Sequence, residues 1–142
     1  MPVIQSIVDS YQHHTVKLTL TNHLENSLLV KADPEQFKSA LQHIVQNAVE
    51  SVKKSGLVSI ITQPADNNCI EIIIEDNGKG MSQKFVSEGL FEPFKSTKGV
   101  SGMGVGVYQC REYLRSIQGD IRVKSQQNVG TCFTIKFPFY YE

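Results

Sequence analysis

Apolar and polar residues alternate along this chain in two rhythms, one of helices and one of strands. Val3, Ile4, Ile7, Val8 and Tyr11 fall near helical spacing, which predicts a short helix over residues 3–12. Residues 16–21 read V-K-L-T-L-T, a half-buried strand, and residues 28–31 are its expected hairpin partner. Asp33 then offers an N-cap, Pro34 suits the first helical position, and Gln36 can complete a capping box. Phe37, Leu41, Ile44, Val45, Ala48 and Val52 form one apolar stripe behind that start. The helix should end near Lys54, with Gly56 as its C-terminal signal. Residues 57–62 and 69–75 are β-rich, with a turn cluster at 64–68 between them. Residues 76–106 carry no sustained period. A second helix follows with Val107, Cys110, Leu114 and Ile117 on one face, stopped by Gly119. Two strands, 121–125 and 131–137, close the chain. Strands clustered into hairpins and mixed with helices favour an α+β two-layer sandwich, a mostly antiparallel mixed sheet on about three helices.

Composition narrows the class of protein. At 142 residues, 40% hydrophobic and 20% charged, the chain suits one folded domain over 1–142. Fourteen basic and fourteen acidic residues balance, so charge gives no support for nucleic-acid binding. No apolar run approaches the roughly 20 residues that span a bilayer, and no signal peptide is visible, so the expected location is cytoplasmic, with an anchored parent protein allowed. Cys69, Cys110 and Cys132 each sit in an apolar run without metal-ligand spacing and are expected to be small buried thiols.

Four segments carry candidate chemistry. Asp76, Asn77, Gly78, Lys79 and Gly80 follow a strand directly. Such a run often makes only a turn, but a carboxylate at a strand end can also accept a hydrogen bond from an exocyclic amine such as adenine N6, with glycines letting the backbone approach the base. Residues 99–106, G-V-S-G-M-G-V-G, form a glycine-rich loop opening a helix at about Val105. Its helix end offers free N–H groups to a phosphate, or it is simply a flexible loop. It lacks the context of a dinucleotide-binding fingerprint and the Gly-Lys-Ser/Thr ending of a P-loop. Residues 91–98, F-E-P-F-K-S-T-K, pair two aromatic anchors with Lys95, Lys98, Ser96 and Thr97, groups that suit phosphate oxygens or an ordinary surface. On the long helix His43, Asn47, Glu50 and Lys54 share a stripe beside the apolar one, and the Asn47 amide oxygen is a plausible hard ligand for Mg²⁺.

In this order, these segments resemble the ATP-binding domain of sensor histidine kinases, a branch of the superfamily that also holds gyrase, the heat-shock chaperone and the mismatch-repair ATPase. H-I-V-Q-N-A looks like the N box, E-D-N-G-K-G-M like the G1 box, L-F-E-P-F like the F box and G-M-G-V-G-V like the G2 box. The likeness runs over about residues 33–138. The run G-M-G-V-G-V-Y-Q-C-R-E-Y most resembles kinases linked to bacterial exopolysaccharide and surface-protein sorting systems. The resemblance implies the Bergerat-type ATP-binding fold, with ATP and Mg²⁺ as cofactors. It implies that Asn47 coordinates the metal, that Asp76 binds adenine N6, and that Gly78, Gly80 and Met81 shape the base pocket. Thr131 would sit near the base and Ser51 approach it from the helix. Ser96, Thr97 and Lys98 with Gly102, Met103, Gly104, Val105 and Gly106 would form the ATP lid, anchored by Phe91 and Phe94.

Two departures bear on activity. ATP-hydrolysing relatives carry a Glu four residues before the metal-binding Asn; here that position is His43, which favours a kinase over an ATPase. Sensor kinases phosphorylate a His on a separate helical domain, usually followed by an acidic residue. None of His13, His14, His23 and His43 is followed by Asp or Glu, and no helical hairpin precedes the domain. Residues 1–12 read instead as a connector helix. The expectation is a monomeric catalytic domain that binds Mg·ATP without phosphorylating itself, served by a helical dimerisation and phosphoacceptor domain and a downstream response regulator. A self-sufficient ATPase, an anti-sigma-factor Ser/Thr kinase and a nucleotide sensor without transfer activity are the alternatives.

Overall fold

The protein is described from a computed structural model over residues 2–11, 16–24, 28–30, 32–52, 56–88 and 103–141. The long helix starts where its cap dictates. Asp33 is extended, and its carboxylate accepts from the N–H groups of Glu35 (2.9 Å) and Gln36 (3.2 Å). Two of the orphan donors of a first helical turn are thereby satisfied. Helix α2, Pro34–Ser51, runs on to Val52, which is again extended. It ends earlier than the sequence signal at Gly56 predicts.

α2 buries Phe37, Ala40, Leu41, Ile44, Val45, Ala48 and Val49. Beside it lie α1, Pro2–Asp9, which buries Ile4 and Ile7, and α4, Met103–Ser116, which buries Val107, Cys110 and Leu114. The Tyr11 hydroxyl, just after α1, donates to Gln46 Oε1 on α2. The end of α4 is a Schellman motif. Gly119 N–H donates to Leu114 O (2.7 Å) and Gln118 N–H to Arg115 O (3.2 Å), with Gln118 itself left-handed at φ 66°. The expected stop at Gly119 is therefore displaced by one residue, onto a glutamine.

Five strands form the main sheet: β1 Lys17–Asn22, β3 Leu57–Ala65, β4 Cys69–Asp76, β5 Asp120–Gln126 and β6 Gly130–Pro138, in the order β1-β3-β4-β6-β5. β1 and β3 pair in parallel and the remaining neighbours are antiparallel. Period-two alternation turns one face inward. Val58, Ile60, Ile70, Ile72, Ile74, Ile121, Phe133, Ile135 and Phe137 share one buried core with α1, α2 and α4. Phe37 meets Phe137 edge to face at 5.0 Å between ring centroids, fixing α2 on β6. The two-layer α+β architecture matches the sequence expectation.

Two expectations need correction. β2, Leu28–Leu29, is not the hairpin partner of β1; it pairs antiparallel with β7, Tyr140–Tyr141, in a separate two-stranded sheet. The partner of β1 is β3, reached across the whole of α2, so proximity in sequence misled. A short helix, α3 Gln83–Glu88, also interrupts the segment read as aperiodic. Its signal was local: the Ser82 hydroxyl accepts from Phe85 N–H at 3.1 Å.

Candidate nucleotide-binding site

A single row of strand register builds the site. Val58, Asp76, Thr131 and Ser125 are paired in succession across β3, β4, β6 and β5. Asp76 and Thr131 are buried polar residues in the layer that packs against the helices, each 6% exposed. Where the row reaches the end of the sheet, an inward carboxylate replaces the isoleucines that precede it on β4.

Burial raises the Asp76 carboxyl above its ordinary value. Hydrogen bonds from Gly78 N–H (2.8 Å), from the Ser51 hydroxyl and from Thr131 N–H oppose that shift, and the Glu75 charge adds to it. Ser51 also sits 2.9 Å from Ala48 O, so its single proton goes to one acceptor at a time. The loop after Asp76 has no room for side chains. A Cβ at Gly78 would lie 2.4 Å from Ser51 O, and Gly80 is left-handed at φ 68° with a Cβ position 2.0 Å from Gln126 O.

These residues face a cavity of about 270 Å³ lined by Asn47, Ala48, Ser51, Asp76, Lys79, Gly80, Met81, Ser82, Phe85, Gln127, Thr131 and Phe133. That is near the low end of the pockets that bury small organic ligands, about 300–1,000 Å³. Asn47 on α2 lines the same cavity as Asp76, and its Nδ2 is buried with no hydrogen-bond partner among the described residues. An unmatched buried amide beside a cavity fits a polar ligand that completes it.

Of the residues singled out in the sequence, Asn47, Ser51, Asp76, Gly80, Met81 and Thr131 line this one cavity, with Gly78 packed beside it against Ser51. The expected stripe of His43, Asn47, Glu50 and Lys54 divides: His43 and Asn47 are half-buried, Glu50 is exposed and accepts from Gln46 Nε2 at 3.0 Å, and Lys54 lies outside the described residues. The glycine-rich loop needs a larger correction. Met103, Gly104, Val105 and Gly106 are already helical, in the opening of α4. Gly106 lets α4 approach α2, since a Cβ there would lie 3.3 Å from His43 Nδ1. Phe91, Phe94, Ser96, Thr97, Lys98 and Gly102 lie outside the described residues.

Sequence reasoning gave no site role to the lining residues Lys79, Ser82, Phe85, Gln127 and Phe133, nor to Ala48, although Lys79 lay in a segment it singled out. The first three surround the Ser82 cap of α3. Gln127 belongs to the β5–β6 turn, and nothing local marks it. A broader groove of about 660 Å³ lies on the opposite face of the sheet, among Lys17, Thr19, Leu57, Glu75, Lys124 and Cys132. Asp76 and Thr131 border both cavities, but both are buried in the layer that packs against the helices, on the side of the smaller one. The cysteines also differ from expectation: Cys110 is buried, whereas Cys69 and Cys132 are only half-buried.

Comparison with known proteins agrees with this geometry. Residues 32–141 match the family described as histidine kinase-, DNA gyrase B- and HSP90-like ATPase. The chain belongs to that family, and its curated relatives are sensor histidine kinases. It is 32% identical over 131 residues to the sensor protein EvgS of Escherichia coli K12, covering 87% of this chain and 11% of that protein. It is 34% identical over 123 residues to the signal transduction histidine-protein kinase AtoS of the same strain, covering 86% and 20%. Sporulation kinase A of Bacillus subtilis is 32% identical over 118 residues, covering 83% and 19%. The chain thus spans a fifth or less of these relatives. Among solved structures, the nucleotide-free catalytic domain of histidine kinase ThkA superposes with a TM-score of 0.81 at 22% identity, over 96% of this chain and 92% of that one. The mycobacterial sensor histidine kinase MprB gives 0.84 at 21% identity, over 99% and 96%. These likenesses establish the fold of a histidine kinase catalytic domain.

Proposed function

We propose that this chain binds Mg·ATP and, within a larger sensor kinase, donates the γ-phosphoryl group to a histidine on a separate helical domain. The observation that carries the reading is the buried Asp76 carboxylate facing Asn47 across one cavity. Asp76 would accept from adenine N6 while Gly78, Gly80, Met81 and Thr131 bound the base. Asn47 would offer its amide oxygen to Mg²⁺, which when bound neutralises phosphate charge. One amide ligand is adequate if phosphates and waters complete the shell. Ser96, Thr97, Lys98 and Gly102 would close over the phosphates as the lid, anchored by Phe91 and Phe94, while residues 103–106 would offer the N-terminal backbone N–H groups of α4. Phosphoryl transfer is mainly positioning and charge stabilisation, so this chain's own task is to hold the donor in line.

On this reading the isolated domain is a monomer, works in the cytoplasm and passes its phosphoryl group on toward a response regulator. No helix among the described residues is long and apolar enough to cross a membrane. Incubation with γ-labelled ATP tests the transfer step. The expected result is no stable label on the chain alone, and acid-labile label on the helical phosphoacceptor domain of its parent kinase when that is supplied in trans. Acid-labile label on this chain itself would contradict the reading.

A further inference from the structure

Asn77 is the one asparagine of the chain that precedes a glycine. An asparagine amide is chemically labile, most of all before glycine, whose missing side chain leaves the following nitrogen open to reach it. Here the glycine is fixed by packing. A Cβ at position 78 would lie 2.4 Å from both Ser51 O and Ser51 Oγ. The close approach of this loop to the end of α2 thus keeps a labile pair of residues in place, with Asn77 exposed to water.

The fold also holds that pair against its own reaction. Ring closure needs the Gly78 nitrogen to lose its proton and bond to Asn77 Cγ. The new N–Cγ bond takes the direction of the N–H bond it replaces. In the folded loop that direction is occupied, because Gly78 N–H donates to Asp76 Oδ1 at 2.8 Å. The Asn77 side chain is pinned elsewhere. Its Oδ1 accepts from Leu57 N–H at 2.9 Å, and Asn77 N–H donates to Leu57 O at 3.3 Å, which ties the residue to the start of β3. Beyond the glycine, Lys79 N–H donates to Ser51 O at 3.1 Å and Lys79 O accepts from Asn128 N–H at 2.6 Å. Both sides of the reacting bond are therefore anchored.

We propose that Asn77 is a modification site, the place of spontaneous deamidation in this chain, and that Asp76 holds the reaction off by engaging the Gly78 N–H. The only co-reactant is water. The Gly78 nitrogen attacks Asn77 Cγ, its proton passes to the leaving amide nitrogen, and ammonia departs from a five-membered succinimide. Water then adds to either imide carbonyl and breaks one C–N bond, giving an aspartyl or an isoaspartyl link at position 77. The aspartyl product sets a second carboxylate next to buried Asp76. The isoaspartyl product adds a methylene to the main chain just before Gly78, where Ser51 leaves no room. Either one disturbs the cavity wall that Asp76, Lys79 and Gly80 share. No nucleotide takes part, so this chemistry is independent of what the cavity binds.

Incubation at mildly alkaline pH, followed by peptide mapping for the amide-to-acid mass gain and for isoaspartate, tests both halves. In concentrated urea Asn77 should convert before any other asparagine. In the folded wild type it should convert at least about tenfold more slowly. Asp76→Ala should raise the folded-state rate about tenfold, the scale of one hydrogen bond, whereas Asp76→Asn, which keeps an Oδ1 acceptor, should leave it near the wild-type value. Another asparagine converting first in urea would overturn the site. An unchanged rate in folded Asp76→Ala, or equal rates for the wild type folded and in urea, would overturn the protection by Asp76. Circular dichroism checks the fold of each variant. If Asp76→Ala is unfolded, hydrogen exchange of the wild type decides instead: Gly78 N–H should be protected, and exchange at the rate of a free amide would overturn the proposal.

Discussion

Asp76 is held between burial, which favours its neutral form, and three donors, which favour its charge. The net shift is upward from 3.8, so the folded apo domain holds this proton more tightly than the unfolded chain. Its contribution to apo stability is therefore present at low pH and lost as pH rises through the raised value. Melting temperatures from pH 3.5 upward should show this falling component in the wild type and lack it in Asp76→Asn. Nucleotide affinity should move the other way and rise with pH over the same window, because the N6 amine needs an acceptor. Cys110 makes a second residue-scale prediction. Burial pushes its thiol up to about 12, so it carries almost no thiolate at neutral pH. A thiol reagent should modify at most Cys69 and Cys132 in the native domain, and reach the third thiol only on unfolding. Labelling of Cys110 without loss of structure would contradict the packing of α4 on the sheet.

Among the elements, α2 was the most legible. Asp33, Pro34 and the apolar stripe announced its start and its buried face, because caps and periodicity act within a turn or two. Its cap is testable. Asp33→Ala should destabilise the domain by about 1 kcal/mol, a drop of a few degrees in the thermal midpoint, without altering nucleotide affinity. The β3–β4 and β5–β6 hairpins were legible for the same local reason. The pairing of β1 with β3 and of β2 with β7 was not, since each joins segments separated by whole elements. α3 escaped notice because six residues with only Phe85 and Val86 apolar are too few to show a period. In α4 the glycines misled: Gly104 and Gly106 read as loop, but the helix keeps them, with Gly106 beside His43 where a side chain would crowd.

At the scale of the whole molecule, the sequence named the walls of the site but not its assembly. Asn47 and Asp76 belong to motifs with local signatures, whereas their convergence depends on α2 lying across the inner face of the sheet beside β4. The register that puts Asp76, Thr131 and Ser125 in one row became visible only with the strands paired. Gln127 had no sequence signal, because it reaches the cavity through a turn rather than through a motif. The resulting division of labour is simple. One sheet end, α2, the loop after Asp76 and the start of α3 supply the walls of the cavity. The central claim is that this pocket binds Mg·ATP through Asp76. Thermal unfolding with and without Mg·ATP tests it most directly. At about 100 times the dissociation constant, the ligand should add about 2.7 kcal/mol to the wild type and little or nothing to Asp76→Asn. An unshifted midpoint in the folded wild type, or an equal shift in Asp76→Asn, would contradict it.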